Sequence, residues 1–330
     1  MAFPEKSMLI VGGGIAGLCL AVVAQARGFA VTLVARDAAS DTASGVAAGM
    51  IAPTLESRGD PDPEAFNRLD TAQAAWLRLM AVWPHALQIA LCRQQGEARS
   101  RFLAADGTAT EIGGDWLVDA VATLAALEAE FTALGGRVVK GEAARIAAHA
   151  VTLTDGGEWH AAHVVLAAGF ASAAFAATIP SLKALTPIKG HLLDLPGQGT
   201  PGVLRSAKGY LADYGASAKF GASMEPGRDD LTIDPAVVAD LKARAADISA
   251  DISLERAVPR TGIRASTPDG WPLIGLDSAS GVWVAAGMRR NGYVFAPFAA
   301  EVILDRIEGE ARPDAAAYDP QRFASTFNIN

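Results

Sequence analysis

The chain has 330 residues, of which 51% are hydrophobic, and a formal net charge of −8 at pH 7. This length and apolar content are enough to bury one large core or two moderate ones, so we expect a two-lobed globular protein. The acidic balance would repel a nucleic-acid backbone, and no run of lysine and arginine offsets it locally. Nucleic acid is therefore not expected as a partner.

Two features bear on the compartment. The only cysteines are Cys19 and Cys92, and Cys19 falls in an apolar pattern where a buried free thiol is expected rather than a disulfide. The apolar stretch at residues 8–26 contains glycines at its centre and has no basic segment before it, unlike a membrane span or a signal peptide. We expect a cytoplasmic protein without an integral membrane span, and a homo-oligomer stays open as one alternative.

Apolar runs separated by glycines predict the N-terminal elements. Residues 8–11 are a short strand-like run, an apolar helical pattern at residues 18–26 ends at Gly28, and a second buried strand follows at residues 30–35. These elements form a strand–helix–strand unit of the kind that opens a doubly wound parallel sheet.

The remaining elements are a mixture of helices and strands. Between residues 187 and 256 strands alternate with polar turns, which predicts a separate antiparallel sheet. Helices are expected at about residues 63–82, 118–134, 235–246 and 296–307, and strands at residues 138–139, 151–153, 163–168 and 281–286.

Gly12, Gly14 and Gly17 fit the pattern G-x-G-x-x-G between the first strand and the first helix. In a dinucleotide-binding unit the first glycine permits a tight turn, the second lets the backbone approach the pyrophosphate, and the third lets helix and strand pack closely. The phosphate charge then faces the helix N-terminus. The motif predicts dinucleotide binding without choosing the cofactor.

The end of the second strand departs from the usual dinucleotide pattern. An acidic residue is expected there to bond the adenosine ribose, but the chain has Ala35 and Arg36 followed by Asp37. Either Asp37 reaches the ribose from a shifted position, or backbone and water hold the ribose while Arg36 covers the adenine or a phosphate. An NADP-type role for Arg36 is a further alternative.

At residues 43–53 the sequence ASGVAAGMIAP resembles the D-amino-acid oxidase superfamily of flavoproteins, most closely its thiamine-pathway glycine oxidase branch. The resemblance runs in order along nearly the whole chain, through residues 12–17, 44–53, 164–172 (VVLAAGFAS), 187–190 (PIKG), 221–225 (GASME), 262–275 (GIRASTPDGWPLIG) and 287–297 (GMRRNGYVFAP).

The resemblance implies an α/β fold, in which a Rossmann-like FAD-binding domain accompanies a second, antiparallel-sheet α+β substrate domain. We assign residues 1–78, 115–182 and 258–330 to the FAD-binding domain. Residues 79–114 and 183–257 are assigned to the substrate domain.

The resemblance also implies a substrate site. Arg264 and Arg290 would grip the substrate carboxylate, and Tyr210 would donate its hydroxyl to the same group. Two guanidinium forks can hold a planar carboxylate in one orientation more tightly than a lysine could. Met50 and Met224 match apolar positions of the substrate pocket.

Contacts with FAD are implied along the shared motifs and at the strand ends. Residues 291–294 would open the last helix beneath the flavin pyrimidine, where amide donors and the helix dipole favour the anionic reduced ring. Glycine oxidases usually have histidine at the position of Met288. The implied cofactor positions are Gly12, Gly14, Ile15, Ala16, Gly17, Ala35, Arg36, Ala43, Ser44, Ala48, Gly49, Met50, Val139, Ala167, Gly169, Met288, Arg289, Arg290, Asn291, Gly292, Tyr293 and Val294.

The activity implied is FAD-dependent oxidative deamination of glycine or another small amino acid or secondary amine. A neutral amine would deliver hydride from its α-carbon to flavin N5, the imine would hydrolyse, and O2 would be reduced to H2O2. No catalytic base is then required, and no spacing of His, Cys, Asp and Glu resembles a metal site.

Three alternatives to this activity stay open at the level of the sequence. One is a quinone-linked FAD amino-acid dehydrogenase, since oxygen use cannot be inferred from the motifs. Another is a flavoprotein that acts on a tRNA-borne or otherwise modified glycine derivative, and the third is an NADP-binding reductase, which rests on Arg36 alone.

Overall fold

The computed structural model describes residues 4–58, 60–82, 99–197, 199, 201–248 and 252–326. Cys92 and much of the segment 79–114 lie outside these residues. The strands are β1 Ser7–Val11, β2 Ala30–Ala35, β3 Met50–Ile51, β4 Arg99–Leu103, β5 Ala109–Ile112, β6 Trp116–Leu117, β7 Arg137–Lys140, β8 Ala143–Ala147, β9 Ala150–Leu153, β10 Glu158–His160, β11 His163–Leu166, β12 Thr186–Pro196, β13 Gly202–Ser206, β14 Gly209–Asp213, β15 Ser217–Gly221, β16 Glu225–Pro226, β17 Val258–Ser266, β18 Leu273–Asp277 and β19 Val282–Ala286.

Helices connect many of these strands. The α-helices are α1 Ile15–Ala26, α2 Ala43–Val46, α3 Pro53–Ser57, α4 Ala65–Val82, α5 Ala120–Ala133, α6 Pro235–Ile248 and α7 Gly292–Ile307. Short 3-10 helices occur at Ala39–Asp41, Gly169–Phe175, Pro180–Ala184, Pro313–Tyr318 and Pro320–Phe323. Among the described helices none is long and apolar enough to cross a membrane.

The chain divides into two compact units, and the first contains the described residues of Met1–Gly45, Leu124–Pro187 and Arg264–Asn330. Its main sheet has the strand order β18-β19-β11-β1-β2-β7. The pairs from β19 to β7 are parallel, and β18 is an antiparallel edge strand. A smaller antiparallel sheet, β10-β9-β8, belongs to the same unit.

The N-terminal elements of this unit form because their side chains are apolar on every side. All five residues of β1 are buried, as expected for the centre of a parallel sheet covered on both faces. Helix α1 is buried over ten consecutive residues and packs against α7. Beyond α1, Gly28 adopts φ +83° and turns the chain into β2, as the sequence predicts. Cys19 lies in α1 as a buried free thiol.

The second unit contains the described residues of Val46–Thr123 and Ile188–Ile263. Its large sheet has the order β16-β12-β15-β14-β13-β4-β5, and β17 also pairs with β12. Along this order β13 and β4 run parallel, whereas the other neighbours are antiparallel. Helix α6 covers the sheet through a buried cluster that includes Leu193, Phe220 and Leu241.

The expected α/β fold with a parallel and an antiparallel part is confirmed. The sequence interpretation did not foresee that β4 joins the second sheet parallel to β13, because that pairing joins distant segments. Packing also groups residues 46–78 and 115–123 with the second unit rather than the first. The assignment of one domain to FAD and the other to substrate stays a prediction, since the units are defined by packing.

Candidate active site

The glycine turn between β1 and α1 is built so that side chains would not fit. Gly12 has φ +123°, and a Cβ added there would lie 2.4 Å from the Ala167 carbonyl oxygen at the end of β11. A Cβ on Gly17 would lie 1.8 Å from the Gly12 carbonyl oxygen. The turn is held by backbone hydrogen bonds, in which the Gly12 N–H donates to Val34 and the Ala167 N–H donates to Val11. Both glycines are therefore required by close packing of the backbone.

Ser44 connects the beginnings of two helices in the first unit. Its Oγ accepts a hydrogen bond of 3.1 Å from the Ile15 N–H at the start of α1. Its carbonyl oxygen accepts one of 2.9 Å from the Tyr293 hydroxyl in the first turn of α7. The N-terminal turns of α1 and α7 therefore meet at Ser44, and each has N–H groups without intrahelical acceptors. Two positive helix ends at one place favour an anionic ligand.

Asn291 precedes α7 and leaves a buried acceptor open. It occupies the N-cap position, yet its side chain makes no capping hydrogen bond. Its Oδ1 is buried and has no hydrogen-bond partner among the described residues. A buried acceptor without a donor costs about 1 to 3 kcal/mol, which a ligand N–H at this position would recover.

The two arginines assigned to the substrate carboxylate belong to segments that the fold joins. The Arg289 N–H donates to the Ala265 carbonyl oxygen over 2.7 Å, so Arg264 and Arg290 each lie one residue from this hydrogen bond. Arg289 has φ +49°, a left-handed conformation that is uncommon outside glycine. Arg264 and Arg290 are both half-buried. The two backbone segments that carry Arg264 and Arg290 are distant in sequence and are therefore neighbours in space within the first unit.

A turn following Arg264 is stabilised by an ion pair that the sequence analysis missed. Arg322 donates to both carboxylate oxygens of Asp269, over 2.8 and 3.0 Å, and to the Trp271 carbonyl oxygen over 2.7 Å. Asp269 also accepts from the Thr267 hydroxyl and from the Trp271 N–H. Burial opposes ionisation of Asp269, but Arg322 and these donors hold its pKa below the usual value. The motif TPDGW, which could have suggested an Asp-centred turn, did not reveal the partner 53 residues away.

Arg36, at the ribose end of the predicted site, is surrounded by negative charge. Its guanidinium contacts Asp37 over 2.9 Å and Glu142 over 3.0 Å. Two carboxylates beside the guanidinium disfavour a further phosphate group there, which argues against the NADP alternative. Ala35 and Val139 lie on the paired strands β2 and β7, where Val34 is the direct partner of Val139.

The remaining predicted cofactor positions divide between the two units. Ala43, Ser44, Ala167, Gly169 and the residues 288–294 belong to the first unit, whereas Ala48, Gly49 and Met50 belong to the second. Gly49 has φ +66°, and a Cβ there would lie 2.0 Å from the Val118 carbonyl oxygen. The Ala48 carbonyl oxygen accepts a 2.6 Å hydrogen bond from the Tyr214 hydroxyl.

Three predicted substrate residues lie in the second unit. Met50 and Tyr210 pack against the same apolar cluster, which contains Ala48, Leu117 and Ala212. The Tyr210 hydroxyl lies over Gly221, at 2.8 Å from the position that a Cβ would take there. Met224, three residues further on, is 45% exposed, so it is not the core methionine that its residue type alone would suggest.

Two buried polar side chains of β12 hold the segment 223–234, and the sequence analysis assigned no role to either. Lys189 is fully buried and donates to Asp230 over 2.6 Å and to the Thr232 carbonyl oxygen over 2.5 Å. His191 is also fully buried. Its Nε2 accepts the Asp234 N–H over 3.0 Å, so Nδ1 carries the proton and donates to Glu225 over 2.8 Å.

Replacing Lys189 by methionine is expected to lower the melting temperature of the holoenzyme at pH 7 by a few degrees. The hydrogen bond from Lys189 holds the pKa of Asp230 well below its ordinary value of 3.8. The stabilisation is therefore complete above that ordinary value and is lost as the pH falls through the folded-state pKa. Thermal melts from pH 7 to pH 3 should show the difference between wild type and variant shrinking only below about pH 4.

Lys208→Met is the control for this variant, because Lys208 is exposed and pairs with an exposed Asp247. Exposed pairs contribute little, so its melting temperature should equal that of the wild type. Equal melting temperatures for all three proteins at pH 7 would refute the role given to Lys189.

The first unit has a parallel sheet with a glycine turn after β1, and the N-terminal ends of α1 and α7 meet next to this turn. These features define the class of dinucleotide-binding α/β proteins. The profile of the DAO family, described as FAD dependent oxidoreductase, matches residues 7–99 and 65–306. The chain belongs to this family of FAD-dependent oxidoreductases. This confirms the resemblance stated from the motifs and the choice of FAD as cofactor.

Sequence relatives agree with the family. A tRNA 5-methylaminomethyl-2-thiouridine biosynthesis bifunctional protein MnmC from Caulobacter vibrioides is 29% identical over 92% of this chain and 54% of its own length. A glycine oxidase from Geobacillus kaustophilus is 29% identical over 53% of this chain and 47% of its own length. The chain thus spans about half the length of these curated relatives.

Solved structures show the same fold. The glycine oxidase from Geobacillus kaustophilus superimposes with a TM-score of 0.82 at 24% identity, covering 96% of this chain and 98% of that chain. The iminodiacetate oxidase from Chelativorans sp. BNC1 gives a TM-score of 0.77 at 19% identity, covering 95% and 98%.

FAD fits the described residues of the first unit. Residues 12–14, which lead into α1, are glycines and carry no side chains, and the positive helix ends at Ser44 suit a pyrophosphate. The buried Asn291 Oδ1 suits a ring N–H, which a flavin has. Among the described residues no group of three or more His, Cys, Asp or Glu side chains is arranged to hold a metal ion.

Proposed function

We propose that the protein catalyses FAD-dependent oxidative deamination of glycine or another small amino acid, including secondary amines. The observation that carries this proposal is the hydrogen bond between Arg289 and Ala265, which brings the segments of Arg264 and Arg290 together next to the start of α7. Two arginines beside a helix that suits a flavin are an arrangement for holding a carboxylate close to the cofactor.

The residues of the chain would orient the substrate rather than exchange protons with it. Arg264 and Arg290 bind the carboxylate of the substrate, and Tyr210 adds a hydroxyl donor. FAD supplies the acceptor for the hydride that leaves the α-carbon of the neutral amine, and it passes the electrons to O2. Met50 and Met224 provide apolar contacts for the rest of the substrate, and water hydrolyses the released imine.

The test is a screen of the holoenzyme for peroxide release under air with glycine, sarcosine and D- and L-amino acids. We expect one H2O2 for each oxo acid formed with at least one small amine. Anaerobic bleaching of the flavin by such an amine, without peroxide under air, would instead identify a quinone-linked dehydrogenase. If no amine bleaches the flavin, the proposed activity is wrong.

Action on a tRNA-borne glycine derivative is a second candidate. It is favoured by the MnmC proteins named for tRNA 5-methylaminomethyl-2-thiouridine biosynthesis, which match 92% to 98% of this chain. The net charge of −8 opposes it. Flavin bleaching by tRNA that carries such a derivative, at a rate above that for free amines, would decide for this candidate.

A further inference from the structure

The ends of the paired strands β2 and β7 lie next to the glycine turn of the first unit. Ala35 is the direct partner of Lys140, and the Gly141 N–H donates to the Ala35 carbonyl oxygen over 3.0 Å. A Cβ added to Gly13 would lie 2.9 Å from the Ala35 Cβ, so the end of β2 touches the turn that suits the pyrophosphate. The adenosine ribose of FAD is bonded to that pyrophosphate and belongs at this edge of the sheet.

A carboxylate reaches this edge from the neighbouring strand. Ala35 cannot accept hydrogen bonds from the ribose hydroxyls, as an acidic residue at the end of the second strand would. Glu142 lies two residues beyond β7, and its Oε1 accepts a hydrogen bond of 3.0 Å from Nη1 of Arg36. The Glu142 carbonyl oxygen also accepts the Thr154 N–H over 2.9 Å, which fixes the backbone there. Glu142 therefore supplies the negative charge that β2 lacks.

Arg36 pairs with two carboxylates that differ in how they are held. Asp37 receives both Nε and Nη2 of Arg36 on the same oxygen, each over 2.9 Å. Glu142 receives Nη1 alone, and within the part of the chain that the structure describes its Oε2 accepts no hydrogen bond. The Glu142 side chain is 51% exposed, so a ligand can reach it from solvent. A carboxylate held by one N–H keeps more capacity to accept from the hydroxyls of a diol than one held by two.

We propose that Glu142 accepts hydrogen bonds from the hydroxyls of the adenosine ribose of FAD, in place of the acidic residue that is missing at Ala35. Arg36 positions the Glu142 carboxylate for this contact. The ribose is a neutral donor and suits a site with two carboxylates, whereas a 2′-phosphate would add negative charge beside them. The proposal depends on FAD and not on the substrate, so it can hold or fail independently of the proposed amine oxidation.

Cofactor exchange in the holoenzyme tests this contact. The protein is equilibrated with an excess of an equimolar mixture of FAD and its 2′,3′-dideoxyadenosine analogue, and the bound flavins are then released and quantified by chromatography. The wild type should prefer FAD by roughly 10- to 100-fold, as for hydrogen bonds to a charged acceptor. In Glu142→Ala the preference should fall to within about threefold, because the acceptor is gone.

The exchange ratio compares two ligands on one protein, so a general loss of stability does not change it. Glu142→Gln keeps one acceptor oxygen without the charge, and its preference should lie between those of the wild type and Glu142→Ala. The matched control is Glu158→Ala, which removes an exposed glutamate of β10 in the same unit and should keep the wild-type preference.

Three results would overturn the assignment to Glu142. The first is a wild type that binds FAD and the analogue equally, and the second is a Glu142→Ala variant that keeps the wild-type preference. The third concerns Asp37→Asn, which should retain the preference because Asp37 does not contact the ribose in this proposal. A loss of preference in Asp37→Asn as large as that in Glu142→Ala would reject Glu142 as the specific acceptor.

Discussion

Replacement of Arg290 by alanine is expected to lower kcat/KM for the preferred amine by roughly 100- to 1000-fold, since removing one partner of a desolvated carboxylate pair costs about 2.7 to 4 kcal/mol. The variant should retain FAD, because the glycine turn and Ser44 are unchanged. Steady-state peroxide release measures kcat/KM, and the ratio of flavin to protein absorbance measures the FAD content.

Two further variants test whether the loss of kcat/KM depends on the guanidinium group and on the position of Arg290. Arg290→Lys keeps the charge but loses the planar fork, so its kcat/KM should lie between that of the wild type and that of Arg290→Ala. Arg260→Ala removes a half-buried arginine of the same strand as Arg264. Arg260 lies 3.7 Å from Asp194, so its ion pair is weak, and the variant should leave kcat/KM within about twofold. If Arg290→Ala keeps kcat/KM within threefold, Arg290 does not bind the carboxylate.

Replacement of Gly12 by alanine is expected to abolish FAD binding and to destabilise the protein by about 3 kcal/mol or more. The added Cβ would lie 2.4 Å from the Ala167 carbonyl oxygen and 2.8 Å from the Ala168 Cα, so two strands of the parallel sheet would have to separate. The measurement is the ratio of flavin to protein absorbance after purification, together with thermal unfolding.

Gly28→Ala is the control that separates the effect of steric overlap by the added Cβ from the effect of backbone strain at a positive φ. Gly28 also has a positive φ, +83°, but a Cβ there meets no atom within 4 Å. The cost should be only about 1 to 2 kcal/mol, with full FAD content. Should Gly12→Ala bind FAD as Gly28→Ala does, the close approach of the turn to β11 is not a requirement for the cofactor.

Several elements of the first unit could be predicted because the signals that begin and end them are local in sequence. The helix predicted at residues 18–26 begins earlier, at Ile15, because Gly14 and not the first leucine marks its start. The strand predicted at residues 30–35 has those bounds in the structure, since its end is marked by Arg36 and Asp37. The last helix begins at Gly292, within the residues 291–294 that the resemblance placed at its start, whereas the apolar pattern alone placed its start near residue 296.

The amino-acid sequence by itself determined the alternation of strands and helices, the glycine turn and, through its shared motifs, the family. These depend on side-chain polarity and on backbone freedom over a few neighbouring residues. The tertiary structure alone decided which distant residues meet: Ser44 with Ile15 and Tyr293, Arg289 with Ala265, and His191 with Glu225. Such contacts depend on how strands and turns align in space, and a polar residue in the sequence does not identify its distant partner.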